Sequence, residues 1–275
     1  MDNMMLLQVV TDYINIAPNN FLDEKIALSP ALRGMRIFDE PLVGFGDAGD
    51  PYFATLKNEV IGSHFLLPGE WNEQAKTVIS IFFPFTAQVR KANAKDMDWP
   101  ADEWLNGRIE GQAFIIQTCQ YLKQYLEGRG NKTVVPAADP RFSMASSRTQ
   151  DKTKQDFYTS NWSERHAAFI CGLGTFGLSR GLITARGIAG RFGSLISAAP
   201  FAVTGRSYSS IYEYCAQCGA CVRNCPAHAI SKDQGKTHAI CSAFLDKTRE
   251  PRPPYYGCGK CQVHVPCEKG IPVKK

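Results

Sequence analysis

Eight of the ten cysteines in this 275-residue chain lie between residues 215 and 267. Four of these eight form a compact run. Two residues lie between the first and second cysteines and between the second and third, and three residues lie between the third and fourth. The run is Cys215, Cys218, Cys221 and Cys225, followed directly by Pro226. This is the spacing of bacterial ferredoxins, in which three thiolates bind one [4Fe-4S] cluster and the fourth binds a neighbouring cluster.

The remaining clustered cysteines supply the sulfurs that a second cluster needs. They are Cys241, Cys258, Cys261 and Cys267. In the crossed arrangement of two-cluster ferredoxins, Cys267 would complete the cluster of the first three cysteines, and Cys225 would join the other three. Each cluster then has four sulfur ligands. Cys267 is the least typical ligand, because five residues separate it from Cys261 and Pro266 precedes it instead of following it.

Zinc sites and disulfides are the alternative uses of such cysteines. Paired Cys-x-x-Cys elements also bind zinc, although zinc sites rarely contain the three-fold run that ends in Cys-Pro. His264 could replace a thiolate on one iron, as histidines do in Rieske centres, but a loop position is the simpler interpretation. Disulfides are not expected, because the N-terminus lacks the basic residues of a secretory signal and the cytosol keeps thiols reduced. We predict a cytoplasmic protein.

The formal net charge of +5 also bears on the function. The positive surplus falls on residues 215–275, whereas residues 1–214 are close to neutral. Two oxidised clusters with eight thiolates would add about four negative charges, so the basic excess is interpreted mainly as compensation for the clusters. A nucleic-acid partner would need a basic surface elsewhere, so tRNA binding is not favoured. No apolar stretch approaches the roughly 20 residues of a membrane span.

The first 200 residues have the mixed patterning of an α/β or α+β domain, and the predicted domains are 1–205 and 206–275. Strands are predicted over residues 76–83, 132–135 and 191–197, and helices over residues 102–126 and 163–171. Ser163 is the predicted N-cap of the second helix. The polar segment 137–161, broken by Pro140, is predicted to be a long loop. Both lone cysteines, Cys119 and Cys171, are interpreted as buried apolar residues.

A glycine pattern follows the second predicted helix. Its residues are Gly172, Gly174, Thr175 and Gly177. A dinucleotide fingerprint would follow a strand, so that interpretation is weak here. Two interpretations stay open, a turn required for packing and a loop that contacts a cofactor.

The chain resembles the epoxyqueuosine reductases and, more distantly, the reductive dehalogenases, both cobalamin-dependent iron–sulfur reductases. The resemblance rests on the order and spacing of short segments at residues 163–168, 171–177, 181–184, 215–226, 241–245 and 256–262. It implies an α/β (α+β) fold, with a nitroreductase-like N-terminal domain that holds cobalamin and a two-cluster ferredoxin-like domain that feeds electrons to cobalt. The helical-repeat domain that helps epoxyqueuosine reductases to grip tRNA is not seen in this sequence.

The resemblance also implies a proton donor a few residues before the pair Glu164–Arg165. Tyr158 occupies that place, and Asp156 is the competing candidate. A phenol stays protonated at neutral pH, whereas an exposed aspartate would be ionised and unable to donate. A simpler interpretation is that Tyr158 only anchors its loop to the core.

Three functions are compatible with these observations. The first is a cobalamin-dependent reductase of a small organic substrate, which receives electrons from a ferredoxin or flavodoxin. The second is an electron-transfer partner that reduces a separate corrinoid enzyme. The third is a minimal tRNA epoxyqueuosine reductase, which the near-neutral charge of residues 1–214 disfavours.

The cysteine count alone generates a prediction. Protein loaded anaerobically should contain about eight irons and eight acid-labile sulfides per chain and should bleach on reduction. Cys218→Ala should remove one cluster and loosen the tail, because each cluster joins distant segments. Iron and sulfide assays check this, and a zinc stoichiometry without sulfide would contradict it.

Overall fold

The computed structural model describes residues 2–147 and 157–274. The helices are α1 (Asn3–Ile16), α2 (Pro51–Thr55), α3 (Pro68–Trp71), α4 (Ala87–Asn93), α5 (Asp102–Glu127), α6 (Glu164–Ile170), α7 (Ala220–Arg223) and α8 (His238–Arg249). The strands are β1 (Leu42–Asp47), β2 (Thr77–Pro84), β3 (Thr133–Val134), β4 (Met144–Ser147), β5 (Phe157–Ser160), β6 (Gly174–Phe176), β7 (Leu182–Thr184), β8 (Gly190–Ser197), β9 (Ile230–Ser231) and β10 (Gly235–Lys236). Short 3₁₀ turns occur at Pro18–Asn20, Pro30–Leu32 and Pro136–Ala138, and a π-helical turn at Leu56–Val60.

A four-stranded sheet of order β1-β2-β8-β3 forms the centre of the molecule, and all of its pairings are antiparallel. All eight residues of β2 are buried, as the β-branched and aromatic run predicts. Successive β2 side chains point to opposite faces, so both faces of the sheet need a covering layer. The three strands predicted from sequence are confirmed, and the fold is mixed α and β.

The long helix α5 covers one face of the sheet. Its apolar residues pack with α1 and with Ile79, Ile81 and Phe83 of β2 in one core cluster. The helix begins at the predicted residue and ends one residue later than predicted. Cys119 on α5 is 1% exposed, which confirms its assignment to the core.

The opposite face is covered by α6 and the aromatic residues around it. Trp162 is buried, and its Nε1–H donates to Ser194 Oγ of β8 at 2.9 Å. Cys171, directly after α6, is fully buried, and its Sγ–H donates to the Val78 carbonyl at 3.3 Å. Burial also raises the pKa of this thiol, so Cys171 is an apolar core residue as predicted. Ser163 precedes α6, but its hydroxyl pairs with His166 Nδ1 at 2.7 Å instead of capping the helix.

The segment predicted as a long loop contains a β-hairpin, so that prediction was wrong in part. β4 and β5 pair antiparallel, with Met144 opposite Ser160 and Ser146 opposite Tyr158. Asn161 closes the base of the hairpin, because its side chain bonds the Arg141 carbonyl and the Ser143 N–H. A hairpin held by hydrogen bonds between residues distant in the chain leaves no periodic hydrophobic pattern in a polar sequence. Asp156 lies outside the described residues.

The cysteine-rich segment packs against the last residue of α4 and the N-terminal end of α5. Asn93 Nδ2–H donates to the Cys258 carbonyl at 2.9 Å, and Lys260 Nζ donates to the Asn93 carbonyl at 2.7 Å. Gly259 has a φ of +70°, and a Cβ on it would lie 2.0 Å from the Trp104 ring. The turn between Cys258 and Cys261 therefore reaches α5 only because residue 259 is glycine. Within the two described ranges, no helix is both long and apolar enough to span a membrane.

Gly259→Ala tests this packing. The added methyl group meets a buried indole and forces an unfavourable backbone conformation, so we expect a loss of about 2 to 4 kcal/mol in the free energy of unfolding. Iron loading of the second cluster should fall as well. The matched control is Gly270→Ala, since the nearest atom to a Cβ there lies 3.9 Å away. Anaerobic urea unfolding and iron assays measure both variants, and equal behaviour of the two would contradict the role of Gly259.

Candidate iron–sulfur site and its cavity

Two groups of four cysteines line two separate cavities. A small cavity, here called the first cluster chamber, is lined by Cys215, Cys218, Cys221 and Cys267. A larger cavity of about 510 Å³, here called the second cluster cavity, is lined by Cys225, Cys241, Cys258 and Cys261. This division is the one that the crossed ferredoxin arrangement predicts. The two groups are neighbours, because Cys221 packs against the apolar residues of both.

His264 lies apart from both groups. Its side chain is exposed and lines neither cavity, and its backbone N–H donates to Glu268 Oε2 at 2.7 Å. Among residues 2–147 and 157–274, no three His, Cys, Asp or Glu side chains are grouped so as to hold a single metal ion. The assignment of eight cysteine ligands stays a prediction that the two cavities support.

Two of the thiols that line these cavities, one in each cavity, are poor acids. Burial raises the pKa of Cys258 to about 12 and that of Cys267 to about 12, and neighbouring cysteines add to both shifts. Thiolates in this environment need the positive charge of bound iron, which deprotonates coordinating thiols. Binding of the clusters would therefore release protons and depend on pH.

Backbone geometry aims the cysteines of the run. Gly219 adopts the left-handed conformation, with a φ of +72°, immediately before the short helix α7 that carries Cys221. At the end of the run, Cys225 Sγ accepts the backbone N–H of Ala229 at 3.2 Å. Hydrogen bonds to cluster sulfurs are one of the factors that set reduction potentials.

The glycine pattern lies beside the first cluster chamber and does not line the second cluster cavity. β6 pairs with β7, and a Cβ on Gly174 would lie 1.9 Å from the Ile183 carbonyl oxygen. Thr175 is buried, and its Oγ1 accepts the Tyr214 N–H at 2.8 Å. Gly172 abuts the chain at Gly205, and only Gly177 lines the first cluster chamber. The pattern therefore positions the cysteine run, and contact with a further cofactor stays a prediction.

Tyr158 and Arg165 both line the second cluster cavity, as does His238. The Tyr158 ring stacks on His238 with centroids 4.7 Å apart, and its hydroxyl donates to Met144 Sδ at 3.1 Å. Arg165 Nη1 donates to the Arg180 carbonyl at 3.2 Å. The candidate proton donor is thus 51% exposed at the wall of the cavity that the second group of cysteines lines. Its catalytic role stays a prediction, and Asp156 lies outside the described residues.

Glu164, the other member of the Glu–Arg pair, does not line the second cluster cavity. Burial raises the pKa of its carboxyl group to about 7, and the Ser194 hydroxyl opposes this shift. Neighbouring residues at the start of α6 therefore have different environments. Arg165 lines the cavity, whereas the carboxylate oxygens of Glu164 are buried outside its lining.

A feature that sequence reasoning missed is the charge of the second cluster cavity. Its lining includes the cationic residues Arg108, Arg165, Arg180, Arg191, Lys236, Arg249 and Lys260. Asp246 is the one acidic residue in that lining among residues 2–147 and 157–274. The cations come from seven separate parts of the chain, so no local sequence pattern could have revealed them.

A family model described as 4Fe-4S binding domain matches residues 208–231. No curated protein matches the chain. Among solved structures, a selenomethionine-labelled epoxyqueuosine reductase has a TM-score of 0.54 at 15% identity, and the alignment covers 98% of this chain and 67% of that one. Epoxyqueuosine reductase from Bacillus subtilis gives a TM-score of 0.51 at 15% identity with the same coverage.

Reductive dehalogenases are similar over a smaller share of their length. The catabolic reductive dehalogenase NpRdhA has a TM-score of 0.54 at 13% identity, with coverage of 97% of this chain and 37% of that one. A further structure is described as suggesting a mechanism for B12-dependent dehalogenation, and it has a TM-score of 0.53 at 14% identity. The chain therefore has the mixed α and β fold of epoxyqueuosine reductases and reductive dehalogenases, with a 4Fe-4S binding domain in its C-terminal part.

Proposed function

We propose that this iron–sulfur oxidoreductase reduces a small organic acceptor in the second cluster cavity, with two [4Fe-4S] clusters as its electron carriers. The observation that carries the proposal is that several functional groups line the same cavity. Four predicted cluster ligands, the candidate proton donor Tyr158 and the neighbouring Arg165 all line one cavity of about 510 Å³. A bound acceptor would then lie next to its electron source and a proton source at once.

The proposed electron path begins at the first cluster chamber. Cys218 is exposed, so a cluster there would lie close to the surface and within reach of a donor such as a ferredoxin or flavodoxin. Cys221 packs against both groups of cysteines, which would bring the two clusters close together. Each cluster carries one electron, so the fully reduced chain would hold the two electrons of a typical organic reduction.

Cobalamin is the acceptor that the sequence resemblance implies, and the second cluster cavity can be compared with its size and charge. Cavities of about 300 to 1,000 Å³ hold drug-sized ligands, and a corrin with its amide arms and nucleotide tail is larger than those. Part of the 510 Å³ is also needed for the second cluster. The neutral amides and single phosphate of cobalamin would leave most of the lining cations unpaired. The residues present do not fit cobalamin, so no step of the proposed reaction runs through it.

A single-turnover experiment tests the proposal. Clusters reduced with dithionite, then freed of excess reductant, should be reoxidised by a subset of small organic acceptors, with a rate that saturates as the acceptor concentration rises. Saturation is expected because the acceptor must first occupy the cavity. Reoxidation that stays proportional to concentration for every acceptor would favour a chain that only transfers electrons to another protein.

The ligand assignment is tested with Cys267→Ala and His264→Ala. Cys267 lines the first cluster chamber and His264 is exposed outside it, so the cysteine variant should lose about half of its iron while the histidine variant keeps all of it. Iron assays and the electron paramagnetic resonance spectrum of the reduced clusters report this. A changed spectrum in the histidine variant alone would reverse the assignment.

Tyr158→Phe tests the proton donor, because it keeps the ring that stacks on His238 and removes only the hydroxyl. Both clusters should be retained, while single-turnover reduction of the acceptor should slow by about a hundredfold or more. Tyr212→Phe is the matched control, since Tyr212 is similarly exposed, at 49%, and lies outside the cavity lining. Normal reduction in Tyr158→Phe with an inactive Asp156→Asn would transfer the role to the aspartate.

A further inference from the structure

Three arginines in the second cluster cavity have no acidic partner among the described residues. Arg108, Arg165 and Arg191 all line this cavity. Across residues 2–147 and 157–274, no carboxylate forms an ion pair with any of the three. Cationic residues elsewhere do find such partners, for example Arg206 with Asp50 at 2.6 Å. The cavity therefore concentrates charge that the protein itself leaves uncompensated.

The groups that these arginines do contact are neutral. Arg165 donates to the Arg180 carbonyl, and Arg191 Nη2 donates to Gln112 Oε1. Arg108 lies over the Tyr256 ring, 4.1 Å from its centroid. The Nε atoms of Arg108 and Arg191 are buried and have no acceptor among the described residues. An unsatisfied buried donor costs free energy, more so when it is charged, which is the situation that a bound anion relieves.

The three arginines also repel one another. The pKa of Arg191 is lowered to about 9, first by burial and then by Arg108 and Arg165. The pKa of Arg165 is lowered as well, by burial and by Arg108, while the nearby Cys261 and Tyr158 oppose the shift. Clusters of perturbed groups in a cavity are typical of functional sites.

The second cluster accounts for only part of this charge. Lys236 and Arg108 interact electrostatically with Cys241, Lys260 with Cys258, and Arg165 with Cys261 and Cys241. Lys260 Nζ is also held by Asn93. Among the described residues, seven cations and one aspartate line the cavity, whereas a cluster with four thiolates carries about two negative charges. A surplus of positive charge remains after the cluster is bound, and it lies mainly on the arginines of the N-terminal part.

Aromatic side chains form another part of the cavity wall. Phe85, Trp104, Phe244 and the stacked pair Tyr158 and His238 belong to the lining. Arginine forks match the oxygen pairs of phosphates and carboxylates, and aromatic side chains cover apolar or planar parts of a ligand. The cavity volume lies within the range of small-molecule sites.

We propose that the second cluster cavity binds a polyanionic small molecule, with at least two phosphate or carboxylate groups, through Arg108, Arg165 and Arg191. The inference rests on the proposed function, because it names the substrate class of the same cavity. It replaces the corrin that the sequence resemblance implies with a smaller and more strongly charged ligand.

Calorimetric titration of the oxidised, cluster-loaded full chain tests this inference without any turnover. Sodium pyrophosphate and trisodium citrate are the probes, at low ionic strength, because screening by salt weakens such binding. We expect saturable binding of at least one probe, with sodium acetate at least tenfold weaker. Pyrophosphate alone would identify phosphate groups as the ligand chemistry, and citrate alone would identify carboxylates.

Variants connect the binding to the named arginines. Arg108→Gln and Arg191→Gln should each weaken probe binding by at least tenfold while keeping about eight irons per chain. Arg33→Gln is the matched control, because Arg33 is exposed and pairs with Glu24 far from the cavity lining. Unchanged affinity in both cavity variants, or loss of half of the iron in both, would overturn the inference, since the arginines would then not bind the anion or would serve the cluster.

Two further outcomes separate this inference from the proposed function. Anaerobic addition of cobalamin should leave the cobalt spectrum unchanged, and loss of its lower axial base on stoichiometric binding would overturn the polyanion assignment. Saturable reoxidation by neutral acceptors with no binding of either probe would overturn the inference and leave the reductase intact. Tight probe binding without saturable reoxidation by any acceptor would overturn the reductase and support the anion site.

Discussion

The contact between the Cys258–Cys261 turn and the N-terminal end of α5 is the interaction on which the candidate site depends. Gly259 lets the turn approach Trp104, and buried Lys260 donates from Nζ to the backbone carbonyl and to Oδ1 of buried Asn93. This contact places two predicted cluster ligands against the N-terminal part of the chain. The second cluster cavity exists only because the two parts meet there, since its wall combines cysteines of one part with arginines of the other.

Charge within that cavity gives the site its chemical character. Anionic clusters need nearby cations, and Lys236, Lys260, Arg108 and Arg165 all interact with cysteines of the second group. The lining holds more cations than one cluster balances, and burial of Arg191 makes its repulsion by Arg108 and Arg165 costly. Repulsion between buried cations is typical of binding sites, where a bound anion can offset it. The arginines that lower local stability therefore favour an anionic ligand. Binding of an anion in the cavity would then change the electrostatic field at the second cluster.

Much of the fold could be predicted because its signals are local. A β-branched and aromatic run predicted β2, β8 was also predicted as a strand, and apolar spacing predicted α5 almost to the residue. The β4–β5 hairpin was missed, because a polar segment held by Asn161 has no periodic pattern to read. Ser163 is the N-cap residue of α6 as predicted, but its hydroxyl pairs with His166 and not with a backbone N–H of the helix. Both differences arise where a long-range or side-chain contact overrides local preference.

The sequence by itself determined the iron–sulfur chemistry, because the spacing of the cysteine run restricts which sulfurs can reach one cluster. It also determined the buried strands and the long helix. Only the tertiary structure decided the electrostatics of the site. Residues 1–214 are nearly neutral in sum, yet the fold brings Arg108, Arg165, Arg180 and Arg191 from separate elements to one cavity. Net charge is a property of composition, whereas the local field depends on distances that exist only after the chain has folded.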